Sequence, residues 1–253
     1  MERTTKAQFF EEFRLGSWLQ IGHPVVAEIM AGAGFDWLAI DLEHSAINIR
    51  EAEDLIRVID LNRVRPFVRV ASNNPEQIKR VMDSGAQGVI VPMVTTAKLA
   101  KQAVEAARYP PEGTRSIGLA RAQRYGQKFE EYFEWQRENT VVVVQIEHID
   151  AVTNLDDIFS VPGVDAYITG PYDLSGSLGA PGSFDSSEFQ DAMEHIKVTA
   201  RKYALPGGRH IVEPDPIQLK ESIAAGESFV AYGIDTRMLD VACRAGLAML
   251  KGR

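Results

Sequence analysis

VVVVQIEHIDAVTNLDDIFSVPGVDAYITGPYDLSGSLG, residues 141–179, reads as strand, helix, strand and loop. Val141 to Val144 are four β-branched residues in a row, which suits a strand buried on both faces of a parallel sheet. The apolar run ends at Ile146 and delivers Glu147. Ala151, Leu155, Ile158 and Phe159 follow at helical spacing, closed by Pro162-Gly163. Val164 to Thr169 is a second buried strand, and it ends in Gly170-Pro171-Tyr172-Asp173. Two acids therefore sit just past the C-terminal ends of consecutive parallel strands, where α/β sheets and barrels carry their active sites. Neighbouring carboxylates repel and are costly to bury. A divalent cation between them removes both costs, and hard oxygen ligands suit Mg²⁺ or Mn²⁺. The plainer reading is that each acid caps a following helix or pairs with an arginine. Spacing alone leaves both open.

The same alternation extends in both directions. Strand candidates lie at 15–21, 37–42, 66–70, 88–92, 141–146, 164–169, 207–212 and 229–233. Helical patterns fill 24–31, 50–61, 75–83, 95–107, 151–159, 217–225 and 237–251. Eight strand candidates alternating with helical patterns, at roughly 32 residues per unit, predict an α/β fold, a single (β/α)8 TIM barrel over residues 1–253. A doubly wound sheet is the alternative, but no Gly-x-Gly-x-x-Gly or Walker loop follows the first strand. Phe9, Phe10 and Phe13 suggest an N-terminal helix that covers the barrel's bottom. Residues 114–137 are longer than an ordinary barrel loop and read as a lid or a subunit contact.

The chain has 253 residues, 45% of them hydrophobic, enough for one large core. A net charge of −8 argues against nucleic acid or an anionic membrane as partner. A single cysteine rules out an internal disulfide and a Cys-based zinc site, and the helical pattern around Cys243 predicts a small core residue. No apolar run approaches a membrane span, and Met1 to Lys6 has no signal-like apolar segment. The expectation is a soluble, cytoplasmic protein.

Other strand ends carry candidates for chemistry. His44 follows Asp41 at i+3, and an acid near a histidine can fix its tautomer for general-base work. A structural histidine is the alternative. Glu43 is left without a role. Arg69 lies inside an apolar strand and needs an anion: a pair with Glu147 or Asp41, a substrate carboxylate or an enolate oxygen. The N–H groups after Gly170 can hold an anion, or the segment is a tight turn capped by Asp173. His210, at the end of strand seven, can face the site, whereas His195 reads as a solvated helix residue and His148 as a helix start. No lysine falls at a strand end, which disfavours a Schiff-base mechanism.

FDWLAIDLEH (35–44), PFVRV (66–70), NNPEQIKRVMDSGAQGVIVPMV (73–94), ARYPPEGTRSIGLARAQRYG (107–126), VVVQIEHIDAVTNLDDI (142–158) and GVDAYITGPYDLSGSLG (163–179) together resemble the HpcH/HpaI family of class II, metal-dependent pyruvate aldolases. The resemblance spans about residues 15 to 240 in several ordered motifs. It implies a (β/α)8 barrel assembled as a hexamer, a trimer of dimers, with the last helix exchanged between partners. It also implies Glu147 and Asp173 as metal ligands, Arg69 on the pyruvate keto or enolate oxygen, and His44 with Asp41 as a catalytic dyad. Gln145 then stands beside the metal, the backbone from Gly170 through Pro171 and Tyr172 cradles the pyruvate carboxylate, and Asp83 reaches a neighbouring subunit's site. Two motifs depart from the common pattern. Leu42 stands where glycine is common in Asp-Gly-Glu-His, and the loop Gly118 to Gly126, on the aldehyde side, differs from the best-known version.

The resemblance thus implies reversible cleavage of a 4-hydroxy-2-oxo acid (2-keto-3-deoxy acid type) to pyruvate and an aldehyde, with Mg²⁺, Mn²⁺ or Co²⁺. Claisen-type enolate chemistry, as in a citrate synthase or acyl lyase, is the runner-up. A non-catalytic keto-acid-binding barrel is the third reading.

Overall fold

The computed structural model describes residues 5–251, with side chains to residue 248. Residues 1–4, which contribute to the stretch read as lacking a signal segment, lie outside it. Eight parallel strands close into a barrel in sequence order. They are β1 (Arg14–Leu19), β2 (Trp37–Asp41), β3 (Arg65–Arg69), β4 (Gly88–Val91), β5 (Val141–Ile146), β6 (Ala166–Thr169), β7 (Gly207–Ile211) and β8 (Phe229–Ile234). Before β1 stands α1 (Lys6–Phe9). Between strands lie α2 (Pro24–Gly32), α3 (Ile49–Leu61), α4 (Pro75–Asp83), α5 (Ala97–Ala107), α6 (Phe129–Asn139), α7 (Ile149–Thr153), α8 (Leu155–Phe159), α9 (Pro171–Ser177), α10 (Ser187–Lys202) and α11 (Pro216–Ala224). The chain closes with α12 (Asp235–Lys251). Among the described residues no helix is long and apolar enough to cross a membrane.

Strand alternation sorts the core into two layers. Leu38, Ile40, Val68, Val89, Val142 and Val144 face the helices, where Leu55, Ile56 and Ile59 of α3 and Ile78, Val81 and Met82 of α4 meet them. Trp37, Ala39, Phe67, Val141, Val143, Ile168, Phe229 and Ala231 face the lumen. Its lower end is an aromatic plug. Trp37 stacks on Phe229 at 4.5 Å and on Phe67 at 5.7 Å between ring centroids. Phe9 and Phe10 meet Phe67 and Phe229 edge-on, so the N-terminal helix closes the bottom as expected. That helix ends at Phe9, because Phe10 already leaves helical geometry as its C-cap, and Phe13 belongs to the link into β1.

Gly16 makes the plug possible. A Cβ there would lie 2.0 Å from two Trp37 ring atoms, and Trp37 is fully buried. Gly16→Ala is expected to cost about 1–3 kcal/mol through overpacking. Urea unfolding checks it, and an unchanged midpoint would refute the contact.

Three local expectations are corrected. The single helix read over 151–159 is two, because Asn154 leaves helical geometry and donates from Nδ2 to Thr95 O at 2.9 Å. Cys243 is exposed rather than in the core. The cause is that α12 is exposed throughout residues 241–248, so its apolar stripe does not meet this chain's barrel. The long segment after α5 runs from a helix end to the start of β5, so it lies at the lower end of the barrel. There Arg121 donates to Ser84 O at 3.0 Å. It is no lid over this chain's upper lumen.

Candidate active site

Period-two alternation carries the interior positions upward from the plug. On β2 they run Trp37, Ala39, Asp41, and on β3 Phe67, Arg69. On β5 they run Val141, Val143, Gln145, with Glu147 one step past the strand. The lumen changes from aromatic below to ionic at its C-terminal mouth, and register aligns Asp41 directly with Arg69.

Asp41 is fully buried and accepts from Arg69 Nε at 2.9 Å and Arg69 Nη2 at 2.7 Å. Gln20 Nε2 at 2.9 Å and the main-chain N–H groups of Glu43 and His44 at 3.0 and 3.2 Å add to this. Burial opposes the Asp41 charge, but the Arg69 hydrogen bonds and attraction outweigh it, with Gln20 and His44 N–H adding. The carboxyl is held below its ordinary range. With those contacts its acceptor positions are filled. The structure thus brings Asp41 to the Arg69 side chain and to the His44 backbone. The His44 imidazole, more than half exposed, lies 3.6 Å from Glu43 Oε2 instead. Trp18 covers the Arg69 guanidinium face at 4.3 Å, and His210 packs 5.3 Å from Trp18, inside the barrel. Burial and then Arg69 push His210 down to about 3, so it is neutral.

Across the lumen, Glu147 accepts from Met93 N at 2.7 Å and from Gln145 Nε2. Met93 holds φ at +53°, a conformation uncommon outside glycine, with its N–H directed at the carboxylate. Gly170 must be small: a Cβ there would lie 2.7 Å from Glu147 Oε2. Burial pushes Glu147 up to about 7; Met93 N–H opposes this, and Glu43 and Asp173 add repulsion. Glu43 also rises to about 7, by burial first, with Arg69 opposing and Asp41 and Asp173 repelling. Three acids thus sense one another.

Such a set fits a hard cation. Glu147 is buried and repelled by two neighbouring acids, Gln145 Oε1 is buried without a hydrogen-bond partner, and Glu43 Oε2 has only the ion pair with Arg69 Nε at 3.3 Å and the His44 contact. Among the described residues no group of three or more His, Cys, Asp or Glu forms a cage for a metal by itself. Two carboxylates leave the remaining positions to substrate or water, the usual habit of Mg²⁺.

The structure therefore gathers Asp41, Arg69, Gln145 and Glu147 at one mouth, with Asp173 in the first turn of α9. Tyr172 is half exposed and packs edge-on to Phe184 at 5.0 Å. Asp83 lies at the other end of the barrel, bound by Arg115 Nη2 at 2.6 Å. His148 caps α7, and His195 is exposed. Sequence reasoning missed Glu43, Gln20 and the Met93 N–H. Gln20 carried a signal, since it stands two residues after Trp18, one step past β1 in the interior count.

A sequence model of the HpcH/HpaI aldolase/citrate lyase family matches residues 14–241. The chain belongs to the HpcH/HpaI aldolase/citrate lyase family. It is 39% identical over 228 residues to a 4-hydroxy-2-oxo-heptane-1,7-dioate aldolase of Salmonella typhimurium, covering 89% of this chain and 86% of that one. It is 38% identical over 242 residues to a 2-keto-3-deoxy-L-rhamnonate aldolase of Escherichia coli, covering 95% and 90%. An HpcH/HpaI family protein of Burkholderia cenocepacia superposes with a TM-score of 0.91 at 29% identity, covering 97% of this chain and 98% of that one. This HpcH/HpaI member is a carbon–carbon lyase.

Proposed function

We propose that this lyase cleaves a 4-hydroxy-2-oxo acid reversibly to pyruvate and an aldehyde. One observation carries the reading. A buried, fully oriented guanidinium faces the same mouth as Glu147, a buried carboxylate repelled by Glu43 and Asp173, and every described lysine lies on a helix or at its cap. An enolate can then be stabilised electrostatically but not through a lysine imine.

A divalent cation on Glu147 and Asp173 (Mg²⁺ or Mn²⁺, with Co²⁺ as a third choice) supplies Lewis acidity toward the substrate's carboxylate and 2-oxo oxygens when bound. Gln145 and the Met93 N–H hold Glu147 in place. Arg69 directs N–H groups at the 2-oxo oxygen, where negative charge grows as C3–C4 breaks. His44 takes the C4 hydroxyl proton as the aldehyde forms and returns it in synthesis, its main chain anchored by Asp41. The first turn of α9 has no side-chain cap, so its Tyr172 and Asp173 N–H groups suit the substrate carboxylate.

We also propose a homo-oligomer, a hexamer arranged as a trimer of dimers. Exposed Leu239, Val241 and Leu247 on α12 support exchange of that helix with a partner. Asp83 and the loop Gly118 to Gly126 lie at the end opposite this chain's mouth, which suits contact with a partner's site. Light scattering on the eluting peak reads the mass directly, and a monomer would reject this arrangement.

The raised acids give a pH dependence. Glu43 and Glu147 shift from an ordinary 4.5 to about 7 on folding. Between those values the folded chain holds protons that the unfolded chain has released. Cation-free stability is therefore expected to fall as pH rises through that window. A cation must displace those protons, so Mg²⁺ should raise the melting temperature more at pH 8 than at pH 5.5. Equal shifts at both pH values would contradict the assignment.

The function is tested by pyruvate release, coupled to lactate dehydrogenase, from a panel of 4-hydroxy-2-oxo acids. EDTA-stripped protein is assayed with and without Mg²⁺, Mn²⁺ or Co²⁺. Pyruvate restored by a cation supports the reading. No pyruvate, with activity on a thioester or citrate-forming substrate, would favour Claisen chemistry on the same enolate machinery, consistent with the family's citrate lyase branch.

A further inference from the structure

We propose that Gln20 is a positioning residue that ties the start of α12 to the Asp41–Arg69 pair and thereby orients the guanidinium. The proposal rests on Arg69 meeting the keto-acid oxygen.

Gln20 stands just past β1, half-buried, and both ends of its amide are engaged. Nε2 donates to Asp41 Oδ2 at 2.9 Å, and Oε1 accepts from Thr236 Oγ1 at 3.3 Å. The flipped amide would set oxygen against the carboxylate, so the network fixes the orientation. The backbone is held as firmly. Asp235 accepts from Gln20 N at 3.0 Å with both carboxylate oxygens, from Ile21 N at 2.8 Å and from Thr236 N at 2.7 Å. The first two residues of the last helix therefore set both the main chain and the side chain of Gln20.

What Gln20 holds is the roll of the Asp41 carboxylate. Oδ2 is shared between Gln20 and Arg69 Nη2, while Oδ1 takes Arg69 Nε and two backbone N–H groups. Asp41 fixes the guanidinium in its plane and Trp18 covers its face. If Gln20 loses its amide, Oδ2 loses a donor in a fully buried site, and the carboxylate and guanidinium can turn together. A small displacement at a group that stabilises a developing charge costs rate more than ground-state binding. The sequence of contacts is Thr236 to Gln20 to Asp41 to Arg69, and only the last touches substrate.

The test uses the cation-loaded, full-length protein and the best substrate of the panel. Gln20→Leu keeps the side chain's size and removes both hydrogen bonds. It should lower kcat about 10–100-fold, the range for residues that orient a site from behind, with KM changed by less than about threefold. Thr236→Val should lower kcat by a smaller factor, and Thr236→Ser, which keeps the hydroxyl, should restore it. The double variant should match Gln20→Leu alone, because Thr236 acts through Gln20. Melting temperatures separate this from mere destabilisation, since a structural role lowers them without changing kcat per folded molecule. If Gln20→Leu fails to fold, the Thr236 pair still decides. Wild-type kcat in Gln20→Leu, independent multiplying effects in the double variant, or equal kcat in Thr236→Val and Thr236→Ser would overturn the proposal. Active wild type with unaffected variants defeats this inference alone. Inactive wild type on the whole panel defeats the functional reading and takes this proposal with it.

Discussion

Glu147→Gln is expected to lower kcat/KM on the order of 10³-fold while making the cation-free protein more stable at pH 8. The two effects share one cause. The native carboxyl is buried and faces Glu43 and Asp173, so it ionises only near pH 7. At pH 8 the cation-free fold carries that unfavourable charge, and the neutral amide removes it, for a gain of about 1–3 kcal/mol. The same charge is what a divalent cation binds, and Lewis acidity at the keto acid is worth several kcal/mol of barrier. Gln145, whose Oε1 is buried and unpartnered, can turn its amide to accept from the new side chain. Denaturant melts with EDTA read the stability, and the pyruvate assay with Mg²⁺ titration reads the activity. A variant less stable at pH 8, or one retaining cation-stimulated turnover, would contradict the assignment.

Arg69→Lys should lower kcat about 10²–10³-fold, as for loss of a donor aimed at a developing oxyanion. An ammonium keeps the charge but not the planar fork that meets both Asp41 oxygens. Arg69→Ala goes further. Fully buried Asp41 loses its counter-charge, and breaking such a pair costs about 3–5 kcal/mol. Urea unfolding at pH 7 and at pH 4 separates the terms. Asp41 without Arg69 is driven upward by burial, so the penalty should shrink as pH falls and the carboxyl is protonated. A penalty independent of pH would place the damage in packing over Trp18 rather than in the unpaired acid.

The barrel was legible because its strands are apolar runs with acids at their ends. Val141 to Val144 announces burial on both faces, and the same parity that places Trp37 in the lumen places Asp41 above it. Gln145 and Glu147 follow by the same count on β5. Glu43 stands two residues after Asp41, so the same parity puts it inward, where it lies 3.3 Å from Arg69 Nε. β2 ends at Asp41, and the Asp41 carboxylate captures the N–H groups of Glu43 and His44. That turn keeps Glu43 inward and leaves the His44 imidazole at the rim. Met93 gave no sign, because its residue type does not announce a positive φ. The exposure of Cys243 has a different cause. An amphipathic pattern states that a face will be covered but not by which chain, and α12 leaves its stripe uncovered within one chain. The placement of residues 114–127 was available from topology, since a helix-to-strand connection in this fold lies at the end away from the site.

The central claim is that this mouth stabilises the enolate of pyruvate. Exchange of the pyruvate methyl protons with D₂O tests it without knowledge of the aldehyde. Cation-loaded wild type should incorporate deuterium at the methyl group, while EDTA-treated protein and Glu147→Gln should not. Wild-type protein with saturating Mg²⁺ or Mn²⁺ that leaves the methyl group unlabelled would contradict the account.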